Sequence, residues 1–281
     1  MYEREINPRT TRDILNSIQK LLTFTKAVSL KQLDTNTIRS YLYHQKEQKL
    51  WSARTFRNQR QYLKTFFKYC VNHNYIKKNP VDKIEKPRLS KTLPRFLNQE
   101  QTLKILAHTE FYPWRYQLEK QRNKTIVSTF LFTGVRLNEL RHIATNDVNL
   151  LDDEIIIKKG KGQKERMIPI HPTLKPILQQ YLQYKNKQKI KSHWFFHSLR
   201  SEAKISAKTI QHLCKKISQS SGVKYTAHML RHTYARNCIS NGVGLYQTKE
   251  LMGHASVSNT EIYLSISKEK LKKSFCATTL I

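Results

Sequence analysis

The chain has 281 residues, with 51 Lys and Arg against 20 Asp and Glu, a formal charge of +31 and a pI near 10.1. Such a surplus, spread along the whole sequence and not gathered in one tail or amphipathic anchor, excludes an ordinary neutral enzyme surface. It points to a polyanionic partner, nucleic acid in preference to membrane. No apolar stretch reaches the roughly twenty residues that a spanning helix needs, and the richest run, Thr125 to Val135, reads as a buried helix. The polar start, Met1-Tyr2-Glu3-Arg4-Glu5, and four distant cysteines without a CxxC pair (Cys70, Cys214, Cys238, Cys276) lead to the expectation of a cytoplasmic protein whose cysteines are buried small side chains.

Taken in chain order, the periodicity predicts helices over Thr10 to Ala27 (Ile14, Ile18, Leu21, Leu22), Thr35 to Gln48 (Ile38, Tyr41, Leu42) and Ala53 to His73. The third carries Tyr62, Leu63, Phe66, Phe67 and Cys70 inward and Arg54, Arg57, Arg60, Lys64 and Lys68 around the rest, a basic surface with few acidic partners that is expected to meet phosphates. From Lys77 to Pro94, prolines and basic residues block helix and predict an extended connector, one that is able to lie along DNA. The resulting division is 1–85 as a helical domain, 86–97 as a basic linker and 98–281 as a second domain. Beyond the linker, Asn98 with Gln101 three positions on starts a helix to His108, and Gln117 to Thr133 forms a longer one that Gly134 ends. Glu154 to Lys159 and Glu165 to Ile170 are β-rich runs about a Gly- and Lys-containing turn, a hairpin. Helices resume at Thr173 to Tyr184, Ser206 to Ser220, Ala227 to Ser240 and Leu245 to Met252. The expected fold class is mainly α with a small antiparallel sheet.

Six residues from Arg136 onward have side chains suited to phosphodiester chemistry. Arg136 follows the Gly134 break at the opening of a helical turn, where guanidinium and backbone N–H groups can face one anion, with Glu139 one turn on to hold the geometry or simply to pair with it on the surface. Lys161, between Gly160 and Gly162 at the hairpin tip, can reach into a groove and deliver a proton, with Lys164 as a rival. His228 and Arg231 share one helix face. His228 and His232 also have the i, i+4 spacing of metal ligands, but no carboxylate cluster accompanies them, so neither metal nor cofactor is expected. Gly253 ends the last helix, presents His254 and leads across a polar turn to Tyr263, whose phenol can hold a phosphate covalently.

Jointly, Gly134-Val135-Arg136-Leu137-Asn138-Glu139-Leu140, Gly160-Lys161-Gly162, His228-Met229-Leu230-Arg231-His232-Thr233 and Gly253-His254 followed by Ile262-Tyr263 resemble the signature boxes of the tyrosine recombinase (phage integrase) family, most nearly its compact Xer-type members. The resemblance covers nearly the whole chain, because the helical first domain and proline-rich connector are similar to that family's core-binding domain and linker. It implies an α+β catalytic domain in which Arg136 and Arg231 clamp the phosphate, Lys161 is the hairpin lysine, His228 and His254 are the active-site histidines and Tyr263 is the nucleophile. It further implies site-specific recombination of double-stranded DNA (integration, excision or dimer resolution) through a 3′-phosphotyrosyl intermediate. The assembly it implies is a homotetramer, or a heterotetramer with a second recombinase, on two DNA sites. The chain departs from the Xer pattern at Leu264-Ser265, where those proteins tend to have a Thr-His stretch, and in the tail from Lys268 to Ile281 that such proteins dock onto a neighbour. The rival readings are a non-catalytic DNA-binding regulator, a type IB topoisomerase-like relaxing enzyme and a metal nuclease.

Overall fold

The computed structural model describes residues 7–48, 51–89, 94–158 and 165–253, and the chain divides into two compact units, Met1–Thr92 and Leu93–Ile281. The first unit is built on three helices: α1 (Pro8–Thr25), α2 (Thr35–Gln48) and α3 (Ala53–Asn72). Pro8 suits the first turn of α1 because that N–H has no intrahelical partner, and Asn7 caps it by accepting from the Arg9 N–H at 2.9 Å. The helix stops where Lys26 turns left-handed. Its seam is Ile14, Ser17 and Leu21, while Leu22 lies largely outside; the Ser17 hydroxyl donates to Gln59 Oε1 at 2.8 Å, which ties α1 to α3. Phe56, Leu63 and Phe67 of α3 close the core against Tyr41, Leu42 and Ile38 of α2.

One member of the expected basic surface does not face solvent. Arg60 is buried, and its guanidinium donates to the carbonyls of Ile84 (2.6 Å), Val81 (3.0 Å) and Asp82 (3.3 Å). The proline-dense stretch is therefore not uniformly extended: Val81 and Ile84 are part of the first unit's core. A charge is tolerated inside because it satisfies carbonyls that no helix or sheet would satisfy. At the other end of the stretch, Leu97 is buried in the second unit, where its N–H donates to Thr233 Oγ1 at 2.9 Å.

The second unit contains α4 (Gln99–Phe111), α5 (Gln117–Thr133), α6 (Leu137–Arg141), β1 (Val148–Asn149), β2 (Glu154–Ile157), β3 (Arg166–Pro169), α7 (Lys175–Lys187), α8 (Ala207–Ser221), α9 (Ala227–Ser240) and α10 (Leu245–Met252). The capping box expected at Asn98 forms, with Gln101 N–H on Asn98 Oδ1 (2.7 Å) and Asn98 N–H on Gln101 Oε1 (3.0 Å). Helix α5 is buried nearly all round although most of its residues are polar; the Thr125, Thr129 and Thr133 hydroxyls each donate to the carbonyl four residues back, so they enter the core without unpaired donors. The sheet has three antiparallel strands in the order β1-β2-β3, one more than the hairpin read from sequence, because two-residue β1 carries too little pattern to be seen. Glu154 pairs with Pro169 and Ile157 with Arg166, and Ile155, Ile157 and Ile168 fall on the core face. The fold is mainly α with a small antiparallel sheet, and among the described residues no helix is long and apolar enough to cross a membrane.

A buried polar network holds 192–197 against α7. Lys185 donates to Thr145 Oγ1 (3.1 Å) and to the Trp194 carbonyl (2.9 Å), Arg122 donates to the His197 carbonyl (3.1 Å), and Tyr181 and His197 share a hydrogen bond of 3.3 Å. Burial, then the nearby Lys185 and Arg122 charges, holds the His197 ring down at about 4. The folded chain thus keeps this ring neutral where an unfolded chain, with a histidine near 6.5, binds a proton; stability is lost as pH falls from about 6.5 toward 4, by an amount on the order of 2–3 kcal/mol. Thermal melts across that range are expected to show a falling midpoint, and His197→Gln is expected to flatten the slope.

Candidate active site

Helix α5 ends on Gly134, whose φ of 59° is left-handed. A Cβ here would overlap the Tyr234 ring of α9, so the position needs glycine for both its backbone angle and its clearance. Gly134→Ala is expected to destabilise the chain by about 2–4 kcal/mol, the sum of a left-handed alanine and an overpacked ring, readable in chemical denaturation. The turn delivers Arg136 to the start of α6. There its backbone N–H donates to Glu139 Oε2 (2.8 Å) and its Nη1 to Glu139 Oε1 (2.8 Å). The backbone N–H expected to face an anion is therefore taken by Glu139, and only the guanidinium, whose side chain is 42% exposed, remains presented.

Neither is Glu139 a surface partner. Its side chain is 11% exposed and receives a second arginine, Arg166 of β3, through Nη1 (3.0 Å) and Nη2 (2.8 Å). Burial pushes this carboxyl upward, but the hydrogen bonds from Arg166 and the Arg136 N–H, with the arginine charges, prevail and hold it at about 2.

Arg231 of α9 is buried, 3% exposed, and its guanidinium donates to the Gly134 carbonyl and to the Met252 carbonyl (2.7 Å). Three arginines from three elements thus meet the end of α10: Arg166 Nε donates to Leu251 O (2.9 Å), Arg231 to Met252 O and Arg136 Nη2 to Gly253 O (2.9 Å). The last carbonyls of a helix lack intrahelical partners and carry its negative pole, so guanidinium groups gather there. His228 joins the cluster from the exposed side; the surrounding protein mass, then the Arg231 and Arg136 charges, lowers its ring below the usual histidine range. Its ring lies 4.3 Å from that of His232, edge to face, and His232 is held down at about 4 by burial, His228 and Arg231.

Of the six candidate residues, Arg136, His228 and Arg231 come together in one basic cluster. Lys161, with its rival Lys164, and His254 and Tyr263 lie outside the described residues, as does Cys276. Cys70 and Cys214 are buried and Cys238 is half-buried. Arg166 escaped the sequence reading because one arginine among 51 basic residues carries no mark; its signal was the strand alternation, which sets it on the same face as buried Ile168.

The phage integrase family model matches residues 95–270, and that for the phage integrase SAM-like domain matches residues 1–86. The chain belongs to the phage integrase family. Tyrosine recombinase XerA of Pyrococcus furiosus is 31% identical, over 76% of this chain and 70% of that protein. Tyrosine recombinase XerC of Bacillus subtilis is 27% identical, over 97% of this chain and 91% of its own length. Among solved structures, the post-cleavage complex of XerH site-specific recombinase with palindromic difH substrate matches with a TM-score of 0.78 at 25% identity, covering 95% of this chain and 78% of that one. The lambda integrase tetramer bound to a Holliday junction shares the fold, with a TM-score of 0.69 at 19% identity, covering 92% and 73%. This member of the family is a tyrosine site-specific recombinase, an enzyme that cleaves and rejoins DNA through a covalent intermediate.

Proposed function

We propose that Tyr263 is the nucleophile of this recombinase, that Arg136 and Arg231 clamp the scissile phosphate, and that Lys161, His228 and His254 move or supply protons. In this reading the Tyr263 oxygen attacks phosphorus and the bond to the 5′ oxygen breaks. Lys161 gives that oxygen its proton, and one strand is left joined through a 3′-phosphotyrosine. His228 helps to shift the phenol proton and His254 donates to a non-bridging oxygen. The energy of the broken ester is kept in the new one, so a 5′ hydroxyl from a second duplex can reverse the step and complete an exchange. The arginines stabilise charge growing on the phosphorane oxygens, where a single donor is typically worth about 3–4 kcal/mol.

One observation carries the reading: Arg136, capping α6, and Arg231 of α9 hydrogen-bond the consecutive carbonyls of Gly253 and Met252, at the point from which the chain continues to His254 and Tyr263. Residues 1–85 are read as the core-binding domain that grips DNA, 86–97 as the basic linker and 98–281 as the catalytic domain. The assembly is read as a tetramer on two DNA sites, of one chain or shared with a second recombinase, acting in the cytoplasm. A related recombinase bound to difH and a lambda integrase tetramer on a Holliday junction support DNA as partner and multimeric assembly.

The test uses the full chain with duplexes it selects from a random library, cloned singly and in pairs into supercoiled plasmids. Recombinant products from the two-site plasmid, undiminished by EDTA, are expected. Relaxation of the one-site plasmid without recombinants would favour the topoisomerase reading, and binding without cleavage the regulator.

A further inference from the structure

Arg166 is a heavily engaged basic side chain beside the cluster, yet the proposed chemistry gives it no part. It is 9% exposed, and all three of its donor nitrogens are used: two on the two oxygens of Glu139 and one on the Leu251 carbonyl. It is also tightly framed, since a Cβ at Gly253 would lie 2.8 Å from its Nη1, and Gly253 has the left-handed φ of 61°.

We infer that Arg166 is a positioning residue for strand cleavage, acting through Glu139 on Arg136 and through Leu251 on the end of α10; the inference rests on the function proposed above. Glu139 carries one negative charge and receives two guanidinium groups. Because Arg166 occupies both carboxylate oxygens in a fork, Arg136 is held by only one nitrogen and its backbone N–H, which leaves its Nη2 directed to the Gly253 carbonyl. Without Arg166 the buried carboxylate would keep Arg136 as its arginine partner among the described residues and would draw it inward, away from a phosphate. Arg166 also opens β3, the strand that follows Lys161 in sequence, while Leu251 lies in the helix that precedes His254. One guanidinium therefore joins the strand after the hairpin lysine, the helix before the tyrosine segment and the carboxylate that orients the first phosphate-binding arginine. Lysine cannot replace it fully, because an ammonium has no planar fork to match a carboxylate while bonding a carbonyl at its side.

The experiment measures single-turnover adduct formation on a nicked suicide duplex carrying the selected sequence, at saturating protein, alongside duplex affinity and thermal midpoint. Arg166→Met, Arg166→Lys, Glu139→Gln and the combinations of Glu139→Gln with each are compared with wild type. Arg166→Met is expected to slow the adduct roughly 100-fold with affinity retained, as small displacements of reacting groups do, and Arg166→Lys to recover part of the rate. In the Glu139→Gln background, the further loss on changing Arg166 is expected to shrink severalfold, since the shared intermediary is already gone. Should Arg166→Met fail to fold, the cycle between Arg166→Lys and Glu139→Gln reads the same coupling. A wild-type rate in folded Arg166→Met, or losses that multiply independently with Glu139→Gln, would overturn the inference while leaving the recombinase reading intact. Absence of any adduct with wild type would instead overturn the proposed chemistry, and the inference with it.

Discussion

Changing Tyr263 to phenylalanine is expected to abolish the covalent protein–DNA adduct on a nicked suicide duplex while leaving duplex affinity unchanged. The substitution keeps the ring and removes one oxygen, so packing is disturbed little and no phosphate-binding cation is touched. What disappears is the atom that bonds to phosphorus. The remaining cluster can still polarise the phosphate, but the phenol that would accept the phosphoryl group is gone. Deleting the nucleophile of a covalent enzyme costs on the order of a millionfold in rate, a loss that places the adduct below detection. A gel shift on the same duplex supplies the internal control.

Arg231→Ala is expected to have the second largest effect, and on two quantities at once. The rate of adduct formation should fall roughly a hundred- to thousandfold, the usual consequence of losing one donor to a developing oxyanion. Stability should fall as well, because the carbonyls of Gly134 and Met252 lose their charged donor inside the protein. Each buried group left unpaired costs about 1–3 kcal/mol, which in a domain of this size corresponds to a drop of several degrees in thermal midpoint. A guanidinium compound added back would be expected to restore some cleavage but not the stability of a helix junction. By contrast, Arg136 is half exposed, and its alanine variant should lose rate with a smaller change in melting.

That contrast marks what could be read from the sequence. Periodicity and caps were legible because they are local: the Asn98–Gln101 box and the Gly134 stop depend on residues only a few positions apart, and the β2–β3 pair joins neighbouring runs of the sequence. Arg136, His228 and Arg231 were legible as a set through the order and context of their motifs, and the fold brings them together. Which charges would be buried was not legible. Arg60 read as one more phosphate contact, yet it is spent on the 81–84 carbonyls of its own unit. Glu139, taken with its own segment alone, read as a surface partner of Arg136, and only the strand register places Arg166 against its far side. The backbone N–H of Arg136 read as an anion donor, but a carboxylate three residues on is always at higher local concentration than a ligand. For Arg60 and Arg166 the missing information is tertiary: which carbonyls or carboxylates a long basic side chain meets depends on elements far away in sequence.

In the proposed chemistry the phosphoryl group is carried on the Tyr263 oxygen. Trapped wild-type adduct, digested with protease and nuclease and read by tandem mass spectrometry, is predicted to yield a peptide bearing a nucleotide 3′-phosphate on Tyr263 and on no other residue. A nucleotide mapped to a different tyrosine, to a serine or to a histidine, with Tyr263 unmodified, would contradict it.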